Sequence, residues 1–409
     1  MAGLFVDQVV RCQESTALPI LAPQDPHPTR GMWVNDGVAA YKDVFGVADY
    51  ERFSRTDIPF PMPENNFSER YKFWKTIFNA KFMFGYKALR TGRRATHMQG
   101  VGARGTITIV DKPEFPEHDF FTPGRVFAGR LRHANASFYD DACSQVRACS
   151  LKFADHDTVS PLDILMNTGV IQAFWHFESF MAFVSARSKC TEFSWDPQRL
   201  WVHKMPGAFV GFVESARFAP ASYAEMLYHS GIMYAFLAKD GRKRYAKYRL
   251  VPCGLTQESG FLSAAKQREV WVQHRDPNDT RPRQYLPDEY RQRLKTGPVE
   301  YTLQIQVREF QEDRDTWEFF NSSRVWDLAT SPWLDLAHVR ITEDLPDEVT
   351  QRMQMWLGNQ PPSLGLTDSF SAVDYRSMAR ARNQVYPVSQ KLRWFLRTLG
   401  LARKWPTDF

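Results

Sequence analysis

The string Arg382-Asn-Gln-Val-Tyr386-Pro-Val-Ser-Gln-Lys-Leu-Arg393 offers the most chemistry in this chain. On a helix, positions i, i+4 and i+11 fall within about 40° of one another, so Arg382, Tyr386 and Arg393 share one face. A phenol in water ionises near pH ~10, and it can bind a ferric ion as phenolate only where positive charge stabilises the anion. Arg382, one turn away, supplies such a charge, and a bound metal supplies more. Pro387 lacks an N–H and so frees a carbonyl one turn back, near Asn383, which favours a kink. Taken alone, the commoner reading of this string is an exposed basic helix carrying one buried tyrosine.

A second cluster is Arg94-Ala-Thr-His97-Met-Gln-Gly100-Val-Gly102-Ala-Arg-Gly105. Its glycines spell GxGxxG, but a dinucleotide site needs a strand before that pattern and a helix after it. Here a polar segment precedes and the β-branched run Thr106–Val110 follows, which excludes the nucleotide reading. A lone histidine beside a strand is most often a satisfied core residue. The third cluster runs from Arg130-Leu-Arg132-His133-Ala134 to Met166-Asn167-Thr-Gly169. Asn167 is either a helix cap, where Asn is favoured, or a carboxamide that hydrogen-bonds a ligand without titrating.

Taken in chain order, the three clusters resemble the catalase-related haem protein superfamily. The first resembles the segment that carries the distal histidine, implying that His97 stands over a haem as proton acceptor and donor and that Arg94 pairs with a propionate. The second implies that Arg132 is a further propionate ligand and Asn167 the distal amide. The Arg-x-x-x-Tyr-Pro arrangement implies that Tyr386 is the proximal iron ligand, supported by Arg382, with Arg393 on a propionate. The implied cofactor is ferric haem b.

Within that superfamily the likeness is closest to allene oxide synthases of the coral type and to their hydroperoxide lyase relatives. Thr96 stands before the histidine where catalases usually carry Val, and Ala134 stands where they place a Ser that bonds the distal imidazole. A Thr96 hydroxyl offered to the ring would alter its orientation and proton affinity. The resemblance implies homolysis of the O–O bond of a lipid hydroperoxide, then loss of a proton to an allene oxide or scission of a C–C bond. Hydrogen peroxide catalase or peroxidase activity is the first alternative, and a haem-binding or sensing protein without turnover the second. The coral synthase is joined to a lipoxygenase domain; a chain of 409 residues has no room for one, so a separate lipoxygenase is the expected supplier.

The elements that must position these groups are only partly legible. Residues 1–70 are rich in Pro and poor in periodicity and are expected to form an N-terminal arm. An amphipathic helix is predicted around 68–89, with Tyr71, Phe73, Trp74, Ile77, Phe78 and Phe82 as its apolar residues. Strand-like runs follow at 105–110, 146–153, 233–238, 245–251 and 299–307, and residues 347–400 turn helical. Their spacing suggests one antiparallel sheet or barrel rather than βαβ units. The resemblance makes this an α+β, catalase-like core, an antiparallel eight-stranded β-barrel with flanking helices. That haem-binding domain is assigned to residues 71–400 with a tail at 401–409, and no C-terminal helical or flavodoxin-like domain is expected. Phe153, Ile164, Phe174, Phe177 and Phe180 are candidates for an apolar pocket lining, although an ordinary core would use them too.

Composition narrows the class. With 24% charged residues and no apolar run of membrane-spanning length, the chain reads as soluble, with at most peripheral membrane contact. Five scattered cysteines without a CxxC pair suggest neither a disulfide framework nor a zinc site, and no signal peptide is seen, so a cytoplasmic location is expected. The net charge of +6 is mild, and nucleic acid is not an expected partner; a homo-oligomer remains open. The basic stretch 239–249 reads as a β-hairpin about an Asp-Gly turn, its lysines and arginines either solvated or docking an anionic lipid.

Overall fold

The computed structural model describes residues 62–136, 140–188, 206–262 and 275–401. Most of the predicted arm and tail therefore lies outside the described residues. The first helix, α1 (Phe67–Thr91), starts where Asn66 accepts a hydrogen bond from the Glu69 N–H and stops at Gly92, whose φ of 66° a glycine adopts at little cost. It buries Phe73, Ile77, Ala80, Phe84 and Ala88 while Tyr71, Trp74, Phe78 and Phe82 stay exposed. The helix thus has two apolar faces, only one of which meets the core.

Next come β1 (Gly100–Ile109), β2 (Val126–Asn135), β3 (Gln145–Lys152) and β4 (Asp163–Thr168), then helices α2 (Phe177–Ser188) and α3 (Pro206–Ser215). They are followed by β5 (Ala216–Arg217), β6 (Tyr228–Ser230), β7 (Tyr234–Leu237), β8 (Lys243–Pro252), α4 (Tyr285–Thr296), β9 (Val299–Arg308) and β10 (Leu334–Leu345). A short α5 (Asp347–Arg352), β11 (Leu364–Leu366) and the long α6 (Ser377–Thr398) complete the described chain.

All pairings are antiparallel, and the order β1-β2-β3-β4-β6-β8-β9-β10 closes on itself because β10 pairs with β1 and β8 with β9. The result is an eight-stranded barrel. Closure pairs every one of these strands on both sides and so removes exposed edges. The predicted hairpin is present as β7 and β8, turning at Gly241 with a φ of 76°, and β11 extends it beyond the barrel. Its charges are mostly engaged: Arg244 pairs with Asp240, Arg242 with Glu309, and Lys247 and Arg249 are buried.

Side chains alternate in and out along each strand. The row Val101, His133, Cys149, Met166 and the next row Ala103, Leu131, Leu151, Ile164 point inward and are buried. The barrel also encloses polar rings: His133 stacks on Tyr223 at 5.0 Å and its Nε2 lies 3.1 Å from the Tyr301 hydroxyl. The rows between, carrying Gly102, Arg132, Ser150 and Leu165, and Gly100, Ala134, Ala148 and Asn167, form the outer face. That outer face, roofed by α5 and α6, is where the predicted site residues gather.

The glycine pattern has its explanation here. A side chain on Gly100 would lie 1.9 Å from the His133 carbonyl oxygen, on Gly102 2.5 Å from Thr350 Oγ1, and on Gly105 1.9 Å from the Arg340 carbonyl oxygen. These glycines let β1 sit tightly between β2, β10 and α5, and no helix follows them, so the nucleotide reading stays excluded.

Candidate functional site

His97 occupies the turn into β1 with a φ of 55°, a left-handed conformation that non-glycine residues adopt only at a cost. Its backbone is held on both sides: its N–H donates to the Ala136 carbonyl at 3.0 Å, and its carbonyl accepts from Arg132 Nη2 at 2.8 Å. Arg132 reaches that carbonyl from β2, so one predicted site residue fixes the backbone of another. Burial, and then the charges of Arg132, Arg382 and Arg94, push the imidazole down to about 3. The ring is neutral at physiological pH. Its Nδ1 is buried without a hydrogen-bond partner, and the Thr96 hydroxyl makes no bond to it, contrary to the expectation from sequence.

Three arginines, Arg132, Arg382 and Arg94, act on this histidine, and Arg393 stands beside Arg94 and Arg132. Arg94 donates to Gln351 Oε1 at 3.0 Å and to the carbonyls of Thr350 and Met353, and burial followed by the charges of Arg132, Arg393 and Arg397 holds it well below its usual value. Burial pushes Arg132 down to about 10, and burial with the charges of Arg132 and Arg397 pushes Arg393 down to about 9. Arg393 donates one bond, to the Gln351 carbonyl at 3.2 Å, and the Nε atoms of both Arg132 and Arg393 are buried without partners. None of Arg94, Arg132 and Arg393 has a carboxylate to pair with among the described residues. Buried cations without counter-charge are costly, so the cluster favours a neighbour carrying negative charge.

Gln351 was not visible as a site residue in the sequence. It binds Arg94 and Arg393 and donates from Nε2 to the Met98 carbonyl at 3.2 Å, next to His97. An isolated glutamine carries no pattern that would reveal this role.

Tyr386 and Arg382 lie on α6, which runs uninterrupted through Pro387. The carbonyl freed by the proline is that of Asn383, and it accepts the Trp356 indole N–H at 3.1 Å. Sequence located the freed carbonyl but not its partner. Trp356 is placed in turn by Asp163, which accepts its backbone N–H at 2.9 Å, the Asn359 side chain at 2.8 Å and the Lys152 ammonium at 3.0 Å. Tyr386 and Arg382 lie near enough to Tyr234 on β7 to act on its charge: burial pushes the Tyr234 phenol up, and Arg382 opposes the shift.

Asn167 lies within β4, opposite Ala148 and His229, and not before a helix. The helix-cap reading is thereby removed. It shares the outer barrel face with Arg132, one row along, where the neighbouring Gly100, Ala134 and Ala148 leave little side-chain bulk. Ile164 and Phe153 do not line this face: Ile164 points into the barrel, and Phe153 packs with Phe120 and Phe127. Phe174, Phe177 and Phe180 form a cluster against α1, with Phe73 6.4 Å from Phe177 and Phe84 6.3 Å from Phe180.

The arrangement therefore offers a neutral imidazole and a carboxamide on the barrel side, a tyrosine with a neighbouring arginine on the helix side, and unneutralised cations around them. A metal-bearing group with two carboxylates fits these donors. No family model matches the chain. It is 40% identical over 366 residues to an allene oxide synthase-lipoxygenase protein of Plexaura homomalla, an alignment covering 88% of this chain and 34% of that protein. It is 29% identical over 232 residues to a catalase-related peroxidase of Mycolicibacterium paratuberculosis, covering 54% and 68% of the two chains. The fold matches that of a fungal catalase crystal structure with a TM-score of 0.57 at 16% identity, over 78% of this chain and 63% of that one. The chain spans about a third of the length of the Plexaura protein, yet nearly all of this chain takes part in the match. Sequence likeness to one segment of that protein and the barrel shared with catalases converge: this chain has a catalase-like fold and is similar in sequence to part of an allene oxide synthase-lipoxygenase protein.

Proposed function

We propose that this protein is a haem enzyme that converts fatty-acid hydroperoxides, as an allene oxide synthase or a hydroperoxide lyase. The observation that carries the reading is the set of three arginines, the buried Arg132 and Arg393 and the half-buried Arg94, without carboxylate partners, beside a half-buried neutral His97 whose Nδ1 is shielded from solvent. Arg94, Arg132 and Arg393 would hold the haem propionates, whose charge answers that imbalance. Tyr386 would be the iron's protein ligand, with Arg382 placing a positive charge one turn away. When bound, ferric haem supplies the one-electron chemistry that breaks a hydroperoxide O–O bond.

The chain's own residues would do the rest. His97, neutral because burial and neighbouring cations disfavour its charged form, can take the hydroperoxide proton at Nε2 and return it to the same terminal oxygen, which leaves as water in the synthase reaction together with a proton lost from carbon. Asn167 can donate a hydrogen bond to a peroxide oxygen while holding no charge of its own. The small residues around it leave space for a substituted peroxide. A lipoxygenase would supply the substrate.

The test is incubation of the haem-loaded protein with a panel of fatty-acid hydroperoxides and hydrogen peroxide, with product analysis. Loss of the conjugated diene with ketol products supports the synthase reading, and chain-shortened aldehydes support the lyase. Rapid oxygen release from hydrogen peroxide with no turnover of lipid would replace both with a catalase, and a coloured protein inert to every substrate would make it a haem-binding or sensing protein.

A further inference from the structure

The outward face of α1 has no role in the cleft, and its composition is unusual. Phe67, Tyr71, Trp74, Phe78, Phe82, Tyr86 and Leu89 are all exposed, with Phe67 at 83%, Trp74 at 65% and Phe82 at 72%. At 100° per residue these seven side chains fall within an arc of about 120°, a continuous stripe along the helix. Single exposed aromatics are ordinary on a soluble protein; a run of this length is not.

The stripe continues onto α6. Gly85 lies against Val388 and Leu392, and Lys81 Nζ lies 3.3 Å from Gln384 Oε1, so the two helices run side by side in the same direction. The next turns add the exposed Trp394, Phe395, Leu399 and Leu401 to the same end.

Charge decides what the surface fits. Between Phe67 and Thr91 there are six lysines and arginines and a single carboxylate, Glu69, which is already held by Lys72 and Ser371. Lys75 lies within the arc and Arg90 beside it, both exposed. A second copy of the chain seated on this face would set cations against cations. An anionic bilayer would receive aromatic rings into its interfacial layer and lysines at its headgroups. Among the described residues no helix is long and apolar enough to cross a membrane, so the helix would lie flat.

We infer that α1, together with the end of α6, is a docking face for an anionic lipid surface. The face sits outside the catalytic cleft, so docking and turnover can fail separately. A protein that draws its substrate from lipid would gain local concentration from such contact.

The experiment uses the full-length protein and two vesicle types, phosphatidylcholine alone and phosphatidylcholine with about one-third phosphatidylserine. Flotation should recover the protein with the anionic vesicles, and added salt should release it. Trp74→Ser with Phe78→Ser should lower partition by on the order of 100-fold. Lys75→Glu with Arg90→Glu should lower binding to anionic vesicles by at least about tenfold and leave the weak binding to neutral ones unchanged. Both pairs are exposed, so thermal midpoints should stay at the parent value. A photo-reactive phenylalanine at position 78 identifies the occupant directly. A lipid adduct supports the inference. An adduct to a second copy or to residues 1–61, or vesicle binding that neither pair of substitutions reduces, overturns it.

Discussion

At the scale of single residues, the proposed ligand set makes separable demands. Tyr386→Phe removes the phenol oxygen but leaves Arg94, Arg132 and Arg393 to hold propionates. Haem should still bind, with a shifted Soret band and with lipid hydroperoxide turnover reduced by on the order of 100-fold or more. An unchanged Soret spectrum would remove Tyr386 from the iron. Thr96 tests the choice of reaction. Its hydroxyl makes no hydrogen bond to the His97 ring, so it is free to engage a bound peroxide or to compete for the imidazole's proton. Thr96→Val, which restores the usual catalase residue, should raise oxygen release from hydrogen peroxide by at least about tenfold over a low parent rate. A parent enzyme that already releases oxygen rapidly, and a variant no different from it, would favour the plain catalase reading.

At the scale of elements, the barrel positions the proposed distal groups and α6 the proposed proximal one, and the contact between Trp356 and Asn383 joins the two halves. Asp163 on β4 fixes Trp356, and the Trp356 indole occupies the carbonyl that Pro387 cannot satisfy. Trp356→Phe keeps the ring but deletes the donor, leaving that carbonyl unpaired at a cost of about 1–3 kcal/mol. The thermal midpoint should fall, and because Tyr386 is one turn from Asn383 the Soret band should shift as well. A stable variant with the parent spectrum would show that water replaces the indole without consequence.

The same elements show what sequence could and could not reveal. The strands at β8 and β9 were legible because β-branched and aromatic residues alternate there, as was the hairpin at its Asp-Gly turn. The strand β2, Val-Phe-Ala-Gly-Arg-Leu-Arg-His-Ala-Asn, was not. Both of its faces are covered, the outer one by groups around the cleft, so arginines are buried where alternation would call them exposed. Asn167 was legible as a candidate, yet it was taken to precede a helix because β4 is only six residues long. The strand β10 was missed although Ala337, Val339 and Ile341 alternate correctly, and helix was assigned too broadly between 347 and 400. In α1 the periodicity was seen, but which apolar stripe faces the core depends on where α6 packs. Gln351, Trp356 and Asp163 work through long-range contacts that no local pattern records.

At the scale of the whole molecule, the buried titratable groups set how the protein tolerates acid. Burial, aided by nearby arginines, pushes His97 and His133 down to about 3, and burial pushes His176 down to about 4. Each is neutral when folded and protonates below its ordinary value of about 6.5 once the chain unfolds. Unfolding therefore takes up three protons in mildly acidic solution, and stability must fall as pH falls from about 6.5 towards 4. Asp141 acts in the opposite sense: burial raises its carboxyl to about 6, so between about 4 and 6 the folded state binds a proton that the unfolded chain has released. Counted over these four groups, the net uptake of about two protons corresponds to a slope on the order of 3 kcal/mol per pH unit in that window. Urea unfolding between pH ~4.5 and ~6 should show this decline. Asp141→Asn removes the opposing group, and although it also disturbs the bonds from Asn135 and Leu286, it should steepen the slope towards about 4 kcal/mol per unit. A flat profile, or a variant with a shallower slope than the parent, would mean that these imidazoles are not held neutral. The same result would count against His97 being unprotonated in the folded protein, and only the unprotonated ring has a nitrogen free to take the peroxide proton in the proposed role.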